Sequence, residues 1–248
     1  MQQNKYDDPA FFLEYSQMPR SVHGLNAAGE WSVFRRMLPA LEGAHVLDLG
    51  CGFGWHCRYV REQGAAMVTG VDISEKMLEK ARQTTSDAAI QYLRMPIEDI
   101  GFPPNSFEVV FSSLALHYVE SYTEVCRKVF NCLKPGGAFV FSCEHPVFTA
   151  LPQQDWITDD SGNRLHWPLD GYQAQGLRET SFLGHSVLKY HRTLETLLNG
   201  LTNAGFRIRS IAEPQPAADV IAQYPEMIDE TRRPVFLLVS AVKPATPA

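Results

Sequence analysis

The chain has 248 residues, a net charge of −6 with histidine neutral, and 45% hydrophobic residues. Those values fit one substantial α/β core with additions, and the acidic balance without a basic stripe excludes nucleic acid as the expected partner, because phosphate backbones need clustered Lys and Arg. No apolar run reaches the roughly 18 residues of a membrane span, and the start, Met1 to Asp8, lacks the charged-then-apolar layout of a signal peptide, so we expect no membrane partner and a cytoplasmic location. Five cysteines without a Cys-x-x-Cys pair suggest reduced thiols, with neither a disulfide framework nor a zinc knuckle.

Residues 1–40 read as an aromatic-rich N-terminal cap carrying Tyr6, Phe11, Phe12, Tyr15 and the stretch Met18-Pro19-Arg20-Ser21. A buried-type strand then runs through His45-Val46-Leu47-Asp48-Leu49 into Gly50, Gly52 and Gly54, followed by a helix over 55–63. A second apolar strand, 67–72, ends in Asp72, and Ser74 caps a helix that carries Glu75 in its first turn and Met77. A fourth strand over 107–113 exits through Ser113 and Leu114. A helix over 122–133 follows, with apolar residues on one face, and Lys134-Pro135-Gly136-Gly137 ends it before a fifth strand at 138–143. Beyond a connection of nearly fifty residues, a helix over 193–204 opens on Thr193 and stops at Gly205. Strands at 208–211 and 234–242 complete the chain.

A strand, glycine-rich turn and helix let a ligand approach the backbone where a side chain would block it. A dinucleotide fingerprint needs its third glycine three residues after the second, whereas here Gly52-Phe53-Gly54 are spaced by two. Asp48 places a carboxylate where it would repel a diphosphate and attract a sulfonium. The loop therefore suits a cationic adenosyl ligand, and Asp72, roughly 20 residues further on, suits its ribose hydroxyls.

Val46 to Gly54, Val68 to Ser74, Met95 to Ile100, Phe107 to Leu114 and Leu133 to Phe139 together resemble the motifs of the class I S-adenosylmethionine-dependent methyltransferases. The resemblance is close over about residues 40–143 and one of pattern alone beyond. It implies a Rossmann-like, doubly wound, mostly parallel seven-stranded sheet whose antiparallel last strand lies between the fifth and sixth. It also implies S-adenosyl-L-methionine as cofactor. Asp48, Gly50, Cys51, Gly52 and Gly54 would then serve its methionine part and Asp72 its ribose. Ile73, Met77, Ile97 and Glu98 would face the adenine side, with Ser113 and Leu114 opposite. Pro96 departs from the acidic residue usual at the start of the adenine segment, so either Glu98 or backbone groups would read the adenine amino group.

The domain proper spans 41–248, with a lid insertion at about 144–192. The N-terminal cap, the lid and residues 213–233 all flank the carboxyl ends of strands, where ligands of open α/β sheets bind. Between the cap and the lid we expect a small, partly apolar methyl acceptor, walled by Tyr15, Trp167 and Tyr190. His117 and His145, just past strands four and five, are the candidate general bases. The fourth-strand exit, Ser112-Ser113-Leu114-Ala115, is not the Asn/Asp-Pro-Pro-Tyr of amino-methylating DNA enzymes, which again favours a small molecule. Glu144-His145 with His191 lacks the spacing of a metal site, and no metal is expected. The alternative is a protein that binds S-adenosylmethionine or S-adenosylhomocysteine without turnover. A dehydrogenase is disfavoured by the glycine spacing. No oligomeric state follows from the sequence.

Overall fold

In the computed structural model, which describes residues 4–245, seven strands form one mixed sheet. They are β1 (His45–Leu49), β2 (Met67–Asp72), β3 (Ile90–Arg94), β4 (Phe107–Ser113), β5 (Leu133–Glu144), β10 (Arg207–Ala212) and β11 (Phe236–Val242). The remaining strands form two lid hairpins, β6 (Ile157–Thr158) with β7 (Arg164–His166) and β8 (Gly176–Phe182) with β9 (His185–His191). The order across the sheet is β10-β11-β5-β4-β1-β2-β3. β11 runs antiparallel to both its neighbours, with Phe236 opposite Glu144 and Val242 opposite Ala138. β11 is buried from Leu237 to Ala241, as a central strand covered on both faces must be.

The crossover helices α4 (Trp55–Glu62), α5 (Glu75–Gln83), α6 (Tyr122–Cys132) and α8 (Leu194–Ala204) bury their apolar stripes against the sheet. Their caps follow the sequence signals. Ser74 Oγ accepts from Met77 N at 3.2 Å, Thr193 Oγ1 accepts from Thr196 N at 3.2 Å, and Gly205 closes α8 at φ +103°. Residues 134–137 do not simply stop α6. Leu133 already pairs with Phe107 of β4 and Ala138 with Val109, so the intervening turn bulges out of β5.

The N-terminal residues fold as α1 (Pro9–Ser16), capped by Asp8, then α2 (Pro19–Val22) and α3 (Trp31–Met37). Two short helices complete the count: α7 (Pro146–Thr149) opens the lid, and α9 (Ala218–Gln223) lies in the last long connection. β8 and β9 are joined by Leu183 and Gly184, both at positive φ, the tight turn that matches strand twist. Among the described residues, no helix is long and apolar enough to cross a membrane. Residues 1–3 of the N-terminal run lie outside the described residues.

Candidate cofactor and acceptor site

A cavity of about 470 Å³ opens over the carboxyl ends of β1, β2, β4 and β5, within the usual range for small-molecule sites. One side is the glycine loop after β1. Gly50, Gly52 and Gly54 all have positive φ, but for different reasons. A Cβ on Gly50 would lie 2.5 Å from Ala115 Cβ, and one on Gly54 would lie 2.1 Å from the Tyr92 hydroxyl, so those two are glycine for packing. A Cβ on Gly52 would meet nothing within 4 Å. That open space beside a bare backbone is where ligand atoms can approach.

Asp72, at the end of β2, is fixed by its neighbours. Its Oδ2 accepts from Gly52 N at 2.9 Å and its Oδ1 from Ser74 N at 2.9 Å. Each oxygen keeps a further lone pair for a ligand hydroxyl. Burial raises the carboxyl to about 6 despite those hydrogen bonds. Asp48 is different. It is buried beneath the loop, away from the cavity wall, where Oδ2 accepts from Cys57 Sγ at 3.2 Å and Oδ1 has no partner. Burial pushes it up to about 8, which favours the uncharged carboxyl over the exposed anion its sequence position suggests.

The wall continues through Ile73, Met77, Ile97 and Glu98 to Ser113 and Leu114. Glu98 Oε1 accepts from Glu120 N at 2.8 Å and Ser121 N at 3.0 Å, capping α6, so that oxygen is already committed. Leu114 sits at φ +52°, a strained conformation for a bulky residue. Bonds from its N–H to Ser142 O at 3.0 Å and Ser142 Oγ at 3.1 Å hold it there.

The N-terminal segment roofs the glycine-loop side of the cavity. Asp7 accepts from Ser74 Oγ at 2.5 Å and Lys76 N at 3.1 Å, so a residue 67 positions earlier helps cap α5. Tyr6 packs edge-on against Phe11, Tyr15 and Tyr118, and Tyr15 against Phe53 of the glycine loop. Arg20, a cavity residue absent from the sequence-based set, forms an ion pair with buried Glu30.

Of the two histidines, His117 lines the cavity and His145 does not. His117 Nδ1 accepts from Glu144 N at 3.4 Å, which leaves the ring proton on Nε2, and burial lowers the ring to about 4. A neutral ring so arranged donates a hydrogen bond; its free lone pair is already engaged. His145 accepts from Val147 N at 3.0 Å and places Nε2 2.8 Å from Glu213 Oε1, tying α7 to the last connection. Trp167 stacks on Phe148 and donates to Val147 O at 3.1 Å, while Arg233 lies 4.1 Å above its ring. It is part of the packing that joins the lid to residues 213–233, outside the cavity wall. Tyr190 points into a separate outer groove beside Glu120 and Arg192. Strand alternation is the cause: in β9, Val187, Lys189 and His191 face inward and Tyr190 outward. His191 has both ring nitrogens engaged, by Thr149 Oγ1 and Tyr172 O at 2.8 Å each. Of the expected pocket residues, Tyr15 alone lines the cavity. Gln154 and Lys189 were missed in the sequence, and Glu144 was noticed only as a metal candidate. A lysine in the inward row of an alternating strand was the available signal.

Comparison with known proteins agrees with this geometry. A profile described as a methyltransferase domain matches residues 47–141. An S-adenosylmethionine-dependent methyltransferase of Mesorhizobium loti superposes with a TM-score of 0.83 at 46% identity, covering 88% of this chain and 100% of that one. A protein from Listeria monocytogenes described in the same terms gives 0.84 at 51% identity, covering 89% and 99%. An uncharacterized protein of Haemophilus influenzae is 33% identical over 96% of each chain. Partial matches include a malonyl-[acyl-carrier protein] O-methyltransferase of Enterobacter lignolyticus, 38% identical over 42% of this chain and 41% of that one. A tRNA U34 carboxymethyltransferase of Hahella chejuensis is 32% identical over 64% of this chain and 45% of its own length. The chain belongs to the class I S-adenosylmethionine-dependent methyltransferases, and its cofactor is S-adenosyl-L-methionine.

Proposed function

We propose that the protein transfers a methyl group to a small-molecule acceptor held between the N-terminal cap, residues 1–40, and the lid at about 144–192. The observation that carries this reading is the single cavity shared by the glycine loop, Asp72 and the inner face of the lid hairpin. About 470 Å³ must hold cofactor and acceptor group together, so the reacting group beside the cofactor must be compact. The acidic chain also offers no phosphate-binding stripe, which supports an acceptor other than nucleic acid. The buried, unpaired thiols fit work in the cytosol.

In this reading Gly52 lets the cofactor approach the backbone, Asp72 accepts from its ribose, and Ile73, Met77, Ile97 and Leu114 enclose the adenine. Bound S-adenosylmethionine supplies an electrophilic methyl on a sulfonium sulfur. The protein's work is then to align the acceptor and exclude water. Tyr6, Tyr15, Tyr118 and Phe182 form the apolar closure, and His117 donates into the cavity. The test is S-adenosylhomocysteine formation from S-adenosylmethionine across a panel of metabolites. Turnover of a small acceptor is the expected result. Cofactor binding with turnover of carrier-bound or RNA substrates only would contradict the small-molecule reading, and binding without any turnover would leave the non-catalytic alternative standing.

A further inference from the structure

One polar cluster on the acceptor side belongs to neither the glycine loop nor the histidines. Glu144, the last residue of β5, accepts from Lys189 Nζ at 2.6 Å through Oε1 and from Gln154 Nε2 at 3.2 Å through Oε2. Gln154 Oε1 in turn accepts from Thr180 Oγ1 at 3.0 Å and from Lys189 Nζ at 3.4 Å, which fixes the direction of its amide. The remaining side of the Lys189 ammonium lies 5.5 Å from the Phe182 ring. The cation is held by Glu144 and Gln154, and its side chain is 3% exposed against 13% for Glu144. Glu144, Gln154 and Lys189 all line the cavity. Burial alone would raise the Glu144 carboxyl, but the Lys189 ammonium and the hydrogen bonds from Lys189 and Gln154 outweigh it and hold the group below the ordinary glutamate range.

An ion pair buried in an aromatic pocket is a poor device for stability, since desolvation offsets most of its attraction. Its geometry has a clearer use. Three lid residues orient one carboxylate of the core so that the lone pairs not taken by Lys189 and Gln154 are left for a ligand.

We propose that Glu144 is the anchor for the methyl acceptor, and that the acceptor presents an N–H or O–H group to it: an amine or a hydroxyl compound, not a carboxylic acid. Lys189, Gln154 and Thr180 are positioning residues that act through Glu144. The proposal rests on the methyltransferase reading of the cavity. A carboxylate acceptor would face the Glu144 anion in this wall while the neighbouring cation is already engaged. Glu144 accepts a hydrogen bond from the neutral acceptor atom and so directs that atom's remaining lone pair at the methyl carbon. As the new bond to carbon forms and the carbon–sulfur bond breaks to leave a neutral thioether, the proton lost by the acceptor passes to the Glu144 carboxylate.

The test uses the full chain saturated with S-adenosylhomocysteine, with benzylamine, phenol and benzoate as probes read by calorimetry. Benzylamine or phenol should bind at least about 10-fold more tightly than benzoate, the worth of one hydrogen bond to a charged group. Glu144→Gln should erase that margin. Because this variant leaves Lys189 without its counter-charge, the neutral pair Glu144→Gln/Lys189→Met serves as the second variant. It should melt near the parent, bind S-adenosylhomocysteine as the parent does, and show no margin. Preference for benzoate, absence of binding by both donor probes, or a margin that survives in the double variant would overturn the proposal. Failure of S-adenosylhomocysteine itself to bind the parent would instead strike the methyltransferase reading.

Discussion

The two halves of the cavity are built in opposite ways. On the glycine-loop side, the wall residues lie within a few positions of each other: Gly50 to Gly54 on one turn, Asp72 to Ser74 on the next, with Gly52 N and Asp72 Oδ2 joined at 2.9 Å. On the lid side, Glu144, Gln154, Thr180 and Lys189 come from a core strand, a loop and two hairpin strands, and meet only because the lid folds back. A site assembled from one strand-turn-helix unit keeps its geometry whatever surrounds it. One assembled across an insertion depends on the packing of that insertion, and can change ligand while the fold stays the same.

The sharpest way to break this contrast is at Gly52. Gly52→Val should reduce S-adenosylhomocysteine affinity by roughly 100-fold or more, because the side chain enters the open space the ligand needs. Strain at φ +51° should cost only about 1–3 kcal/mol of stability. Calorimetry together with a melting curve separates the two effects. Gly54→Ala should do the reverse, lowering the melting temperature through the clash with Tyr92 while any cofactor loss follows from the damaged fold.

Replacement of His117 by Ala, measured once an acceptor is known, should cut turnover about 10- to 100-fold through loss of a donor hydrogen bond, with cofactor affinity nearly unchanged. His145→Ala should leave kcat/KM close to the parent, since the ring meets Glu213 and Val147 away from the cavity. A large effect at 145 and none at 117 would restore the general-base reading at the wrong-facing histidine and contradict this geometry.

Asp72→Ala should weaken cofactor binding by about 1–3 kcal/mol, the cost of hydrogen bonds to a charged group. A pH effect on stability, not on affinity, is expected at Asp48. Its folded-state pKa, about 8, is raised above the unfolded value. The corresponding stability is therefore present at low pH and lost as pH rises through 8. His117 is lowered to about 4, so its contribution is lost only as pH falls below the ordinary histidine range toward 4. Between roughly pH 6.5 and 8 the fall in melting temperature with rising pH should therefore be reduced in Asp48→Asn, and an unchanged slope would place Asp48 in a wetter setting than its burial implies.

The same contrast decides what the sequence made legible. β1, β2, β4, β5 and β11 carry largely apolar stretches, and Ser74, Thr193 and Gly205 carry cap chemistry, so those strands and most helix ends could be read from local signals, whereas the sheet order came from the family resemblance. The cavity wall from Gly50 to Leu114 was legible for the same reason. Asp48 and Gly54 sat in the right motif, yet burial beneath the loop gave one of them, and contact with Tyr92 gave the other, a packing role. The lid was legible only as an insertion. Leu183 in the first position of a tight turn hid the β8–β9 hairpin, and without that hairpin the alternation that turns Lys189 inward and Tyr190 outward had no frame. Trp167 and His145 were misplaced because aromatic and imidazole groups pack an insertion as readily as they wall a pocket.

A crystal structure of the S-adenosylhomocysteine complex tests the central claim most directly. The account predicts ribose hydroxyls within hydrogen-bond distance of Asp72, the Gly52 backbone in van der Waals contact with the ligand, and free volume bounded by Glu144 and Phe182 beyond the sulfur. A ligand bound elsewhere, or one whose sulfur points away from Glu144, would contradict it.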